Sequence, residues 1–218
     1  MLKNSDGDGH GTHVAGIAAG AVMGVASRVD VVAVKVLGND GTGTTSGVIS
    51  GLQWVVSNKA DKSVINMSLG INGIATSLNA AVRSTISAGI TVVVAAGNDN
   101  TDANGVSPAL EELAITVGAI DKSDTRAIFS SYGSAVDVWA PGVSIGSAWN
   151  TGDNVINIFS GISMATPHVS GLAVYLIALE GLGSPAAVQD RIKQLATKGK
   201  VNESIGSISG IAYNGNGA

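Results

Sequence analysis

Phe159-Ser160-Gly161-Ile162-Ser163-Met164-Ala165-Thr166-Pro167-His168-Val169-Ser170-Gly171 reads as a strand end, a tight turn and the start of a helix. Upstream, Val155 to Phe159 alternates and is rich in β-branched residues, which suits a strand. Gly161 allows a sharp change of direction. From Met164 to Leu179 nearly every residue is apolar or small, the pattern of a buried helix. Pro167 is expected in about the first turn, where amide N–H groups have no intrahelical acceptor. Ser163 then sits at the positive end of a helix dipole. Its hydroxyl has two readings. It is an N-cap side chain, or a nucleophile whose developing oxyanion meets backbone N–H groups.

The chain before this stretch alternates helices with short apolar strands. A glycine-rich turn, Asp6 to Gly11, leads into a helix through Ala21. Val29 to Leu37 is a nearly continuous apolar strand, and Gly38 to Thr45 is a loop without the lysine and spacing of a phosphate cradle. Helices are expected over Ser46 to Lys59 and Ala75 to Ala88, the second stopped by Gly89. Buried strands are expected over Ser63 to Met67 and Thr91 to Ala96. This alternation predicts an α/β three-layer sandwich, a mostly parallel sheet with helices on both faces. Functional groups gather at the carboxyl ends of such strands, where Ser68-Leu69-Gly70 and Gly97-Asn98 fall. Asn98 is a turn residue or an amide donor. Further on, Leu113 to Ile120 and Val136 to Trp139 are strands, and Pro185 to Ala196 is a helix with Ser184 as its N-cap. The tail from Ile205 reads as irregular surface chain.

Composition narrows the class. Of 218 residues, 13% are charged, 45% are hydrophobic and 30 are glycine, which fits one closely packed domain spanning 1–218 rather than a disordered chain. A net charge of −4 gives no reason to expect nucleic acid as a partner. The longest apolar run is the length of a core helix and rich in small residues, so no membrane partner is expected. With no cysteine, thiol catalysis and disulfides are excluded. Met1 to Asp6 lacks the apolar stretch of a secretory leader, and the abrupt start reads as a truncated or processed piece.

His10 and His13 are three apart and could share a helix face. A metal reading lacks the intervening glutamate of a zincin motif and a third ligand nearby. His13 reads as a buried imidazole. His10, flanked by glycines, is the better general-base candidate.

Gly9-His10-Gly11-Thr12-His13-Val14-Ala15-Gly16, Asn66-Met67-Ser68-Leu69-Gly70, Ala95-Ala96-Gly97-Asn98 and Ser163-Met164-Ala165-Thr166-Pro167-His168-Val169 together resemble the subtilisin-like serine proteases, most closely their proteinase K-like branch. The resemblance covers nearly the whole chain, and the closing Ala212-Tyr213-Asn214-Gly215 also looks like the end of that branch. It implies a serine endopeptidase. Ser163 would be the nucleophile, His10 the general base, and Asn98 the oxyanion donor acting with the Ser163 backbone N–H. Gly41, Thr42 and Gly43 would form one backbone edge clasping an extended peptide, and Ser68, Leu69 and Gly70 the other. Ala95, Ala96 and Gly97 would wall a pocket for an apolar side chain. The resemblance also implies a structural calcium ion on Asp137 with the carbonyls of Glu112 and Ala114. It further implies a secreted monomer whose partners are a polypeptide substrate and a propeptide or separate N-terminal segment.

Two departures qualify the resemblance. The family's catalytic aspartate lies well upstream of the histidine, and Asp6 and Asp8 are too close to His10 to match it. The expectation is therefore an N-terminally truncated domain with low or absent activity, or a peptide- or propeptide-binding scaffold that does not cut. Ile162 also stands where the family usually has threonine, so a weaker oxyanion site is expected. A nucleotide-binding reading fails for want of a Gly-x-Gly-x-x-Gly turn between a strand and a helix.

Overall fold

The structure is a computed structural model that describes residues 5–216. Met1 to Asn4, read above for a leader, and the last two residues of the tail lie outside the described residues. In chain order the elements are α1 (His10–Ala19), α2 (Thr45–Asn58), β1 (Val64–Met67), β2 (Ile71–Asn72), α3 (Thr76–Ser87), β3 (Thr91–Ala95) and β4 (Val106–Ser107). They continue as β5 (Ile115–Ile120), β6 (Val138–Pro141), β7 (Ile145–Ala148), β8 (Ile156–Phe159), α4 (Ile162–Glu180), α5 (Pro185–Leu195), β9 (Thr197–Lys198) and β10 (Gly210–Ile211).

The main sheet runs in the order β1-β3-β5-β6-β10-β9, with every pair parallel except β10–β9. β3 lies next to the edge strand β1 and is buried on both faces. Val92 and Val94 pack with Leu52 of α2 and Leu78, Val82 and Ile86 of α3 on one face. Val93 and Ala95 pack with Ile162, Ala165, Val169 and Leu172 of α4 and Val188 and Ile192 of α5 on the other. Three layers result, as the sequence implies. α4 has the length and apolarity of a membrane span, but it lies against β1, β3, β5 and β6 and under α1, with most of that window buried.

α1 and α4 begin at the same end of the molecule. Val14 and Ile17 of α1 pack on Met164, near the start of α4. Two turns further along α4, the Ala18 carbonyl approaches Gly171 so closely that a Cβ there would stand 2.6 Å from it. Only glycine lets the helices meet at that crossing.

Two expectations need correction, those for Val29 to Leu37 and for the tail. Val29 to Leu37 joins no ladder. Val34 and Val36 reach toward Gly51 of α2, but Val31 and Val32 are 57% and 69% exposed. A strand requires hydrogen-bonding neighbours, and among the described residues nothing pairs with this one. The strand expected over Val155 to Phe159 is present as β8, which pairs antiparallel with β7 in a separate hairpin outside the main sheet. The tail is not wholly irregular, since Ile211 pairs with Trp139 of β6 and Gly210 with Lys198 of β9.

Candidate active site

α4 starts at Ile162, with Gly161 in the capping position, so Ser163 is the second helical residue rather than the cap. Its N–H is one of the first four amides that a helix leaves without an internal acceptor. Pro167 lies in the second turn, later than expected. A proline there cannot donate to the carbonyl four residues back, which is that of Ser163. The Ser68 hydroxyl fills the vacancy, donating to the Ser163 carbonyl at 2.9 Å. In return the Ser163 hydroxyl donates to the Ser68 carbonyl at 3.3 Å. This reciprocal pair ties the end of β1 to the start of α4.

Asn66 braces the same junction. Its side-chain amide donates to the Ser68 hydroxyl at 3.0 Å, and its carbonyl accepts from Ser170 at 2.8 Å. Sequence reasoning quoted Asn66 only as part of a motif. Its role follows from being on β1 opposite a hydroxyl two turns along α4, a pairing no local pattern encodes.

Asn98 follows β3 through Gly97, whose φ of 110° suits glycine and turns the chain toward α4. The Asn98 carbonyl oxygen accepts the Ile162 N–H at 2.9 Å. With its oxygen so engaged, the amide is fixed in orientation and its NH₂ is what remains to donate. The Ile162 side chain is fully buried in the core, so it offers the site no polar group.

A cavity of about 170 Å³ lies here, lined by Leu69, Gly70, Asn72, Ala95, Gly97, Asn98, Asp99, Val106 and Ser163. Thus Ser163, Asn98, Leu69, Gly70, Ala95 and Gly97 share one recess. Ala96 does not line it and is fully buried in the core. Gly41, Thr42 and Gly43 do not line it either. They form an exposed loop in which the Gly38 N–H donates to the Thr42 carbonyl and Thr42 donates to Asp40.

His10 opens α1, at the same end as Ser163 opens α4. Burial holds its imidazole below the usual histidine range, with Asp8 and then Asp6 pulling the other way. The nearby carboxylates serve the backbone instead. Asp8 accepts the His10 N–H at 3.1 Å. Asp6 accepts the N–H groups of Asp8, Gly9 and Thr12 and the Thr12 hydroxyl. These bonds overcome partial burial and hold Asp6 down at about 2. Among the described residues no carboxylate accepts a hydrogen bond from the His10 ring, and Ser163 Oγ donates to Ser68 rather than to His10. His13 is fully buried, with Nε2 3.1 Å from the Asn157 carbonyl and edge-on contacts to Phe159 and Trp149, which fits a structural imidazole.

Glu112, Ala114 and Asp137 also come together. Asp137 sits just before β6, and the two carbonyls sit just before β5. Gln189 Nε2 donates to the Glu112 and Ala114 carbonyls at 3.0 and 2.9 Å. Asp137 Oδ1 pairs with Lys193 Nζ at 2.7 Å, and its Oδ2 accepts the Thr116 N–H at 2.8 Å. Burial pushes the Asp137 carboxyl up, with Lys193 and Thr116 opposing it.

Comparison with known proteins shows the family. A family model described as "Subtilase family" matches residues 2–207. "Subtilisin-like protease 2" of Pseudogymnoascus destructans is 57% identical over 216 residues, covering 99% of this chain and 54% of that protein. "Cuticle-degrading serine protease" of Arthrobotrys oligospora is 53% identical over 215 residues, covering 97% of this chain and 52% of that protein. The chain spans about half the length of the curated relatives it matches. A solved structure titled "Crystal structure of a cold adapted subtilisin-like serine proteinase" superposes with a TM-score of 0.93 at 45% identity, covering 98% of this chain and 77% of that one.

Proposed function

The chain belongs to the subtilase family, and we propose that it is the catalytic domain of an extracellular serine endopeptidase working through an acyl-enzyme on Ser163. The observation that carries the reading is Asn98. Its carbonyl is fixed by the Ile162 N–H, its NH₂ is what remains to donate, and it lines one recess with Ser163.

In this reading a peptide lies extended along Ser68-Leu69-Gly70 and Gly41-Thr42-Gly43, hydrogen-bonded as an added strand. The side chain before the scissile bond enters the recess beside Ala95 and Gly97, where small walls admit an apolar group. Ser163 Oγ attacks the carbonyl carbon as His10 takes its proton. The oxyanion is met by Asn98 Nδ2 and the Ser163 N–H. His10 then protonates the leaving amine, and water releases the acyl group by the reverse route. The burial that keeps His10 neutral keeps it able to accept a proton. An extracellular setting, a monomer and a propeptide or N-terminal segment as partner belong to the same reading. The name of the Arthrobotrys relative supports the setting.

One observation favours a second reading, a peptide-holding scaffold with little turnover. No described carboxylate orients the His10 ring. In serine proteases generally, disabling the orienting aspartate lowers turnover by about 10⁴. Hydrolysis of a chromogenic peptide with an apolar residue before the scissile bond separates the two. The protease reading expects turnover that Ser163→Ala removes. Turnover that survives Ser163→Ala contradicts it. Tight peptide binding without turnover supports the scaffold.

A further inference from the structure

The three oxygens implied for calcium are already engaged by side chains of one helix. Gln189 and Lys193 are four residues apart on α5 and so share a face. A single nitrogen, Gln189 Nε2, stands within 3.0 Å of both the Glu112 and Ala114 carbonyl oxygens. Lys193 Nζ supplies the positive charge at 2.7 Å from Asp137. Thr116 N–H takes the other carboxylate oxygen at 2.8 Å. Calcium asks for roughly six to eight oxygens and repels N–H donors. Among the described residues no cluster of three or more acidic or histidine side chains could hold a metal. The donor set does not fit the ion.

We propose that Lys193 and Gln189 form a built-in cationic clamp that does a structural cation's work, pinning the amino ends of β5 and β6 to α5. The clamp borders an open recess of about 340 Å³ that includes Glu112, Ser134 and Asp137. Solvent calcium can therefore reach the carboxylate, and the ammonium competes with it directly. Removing the ammonium leaves a largely buried carboxylate beside two carbonyls, so Lys193→Ala converts a calcium-indifferent joint into one that calcium stabilises.

The test is thermal unfolding of the 218-residue chain in chelator and in millimolar calcium chloride. The wild type is expected to melt within about 1 °C in the two buffers, because a ligand that does not bind the native state shifts nothing. Lys193→Ala is expected to melt about 3–8 °C lower in chelator. Calcium is expected to restore part of that loss, and Asp137→Asn in the same background to abolish the restoration. A Lys193→Ala melting point that calcium leaves unmoved overturns the proposal. A wild type that calcium stabilises through Asp137 overturns it as well. If the variant does not fold, crystals of the wild type soaked in calcium chloride decide. Anomalous density against Asp137 with Lys193 displaced contradicts the clamp, and an intact Lys193–Asp137 pair upholds it.

Discussion

The two helix starts that make up the candidate site are built differently. At α4, Ser163 and Asn98 are fixed by bonds to backbone. The Ser163 carbonyl takes a hydroxyl because Pro167 cannot serve it, and the Asn98 oxygen takes an amide of the first turn. At α1, the carboxylates satisfy the turn and the His10 ring is without a hydrogen bond among the described residues. The Ser163 side of the site is preorganised, and the His10 side is held in place chiefly by burial. An oxyanion site gains from fixed donors because they need no reorganisation as charge develops. A base can be oriented later by substrate, and apo geometry does not bar it from its role.

Experiments can sharpen or break that contrast. The largest effect belongs to Ser163→Ala, which is expected to lower hydrolysis by up to about 10⁶, the scale known for loss of the subtilisin nucleophile. A loss of less than tenfold, read from initial rates, places the chemistry elsewhere. Asn98→Ala comes next. The loss known for the matching subtilisin donor is about 10²–10³ in kcat, with KM little changed. A change confined to KM means that Asn98 binds substrate without serving the oxyanion. Third is the acid limb of kcat/KM. A base whose charged form is disfavoured by burial stays neutral to lower pH, so the limb is expected below about 6.5. A limb above that value means that a carboxylate does pair with His10 in the working enzyme.

The smallest effect tests the turn before His10. Asp6 is depressed on folding, so its stabilisation is complete above about 3.9 and fades as pH falls toward about 2. Asp6→Asn is expected to cost about 0.5–1.5 kcal/mol at neutral pH, because an uncharged amide has one acceptor oxygen where the carboxylate's two take four hydrogen bonds. The wild type and variant should converge near pH 2 in acid-unfolding curves. A gap that stays constant with pH assigns the effect to packing instead.

Much of this arrangement was legible in the chain. The apolar runs of Thr91 to Ala96 and of α4 called for a buried strand and a buried helix, and both are present. Val29 to Leu37 has the same apolar signature and forms no strand, because strand formation depends on a neighbour that composition does not record. The Gly210–Ile211 pairing was hidden for the opposite reason, since the Gly/Ser/Asn-rich segment around it gives no strand pattern while Trp139 supplies the neighbour. At the site, Ser163, Asn98 and Ser68 could be named from motifs. The bracing by Asn66 and the clamp by Gln189 and Lys193 could not, because each joins groups far apart in sequence through side chains that look ordinary locally.

The central claim is that Ser163 is a nucleophile facing a prepared oxyanion site. The most direct measurement is reaction of the wild-type chain with a fluorophosphonate, followed by digestion and mass mapping of the adduct. The account predicts a single modified peptide carrying the phosphonate on Ser163, formed much more slowly in Asn98→Ala and absent in Ser163→Ala. An adduct on another residue, or equal labelling of wild type and Ser163→Ala, would contradict it.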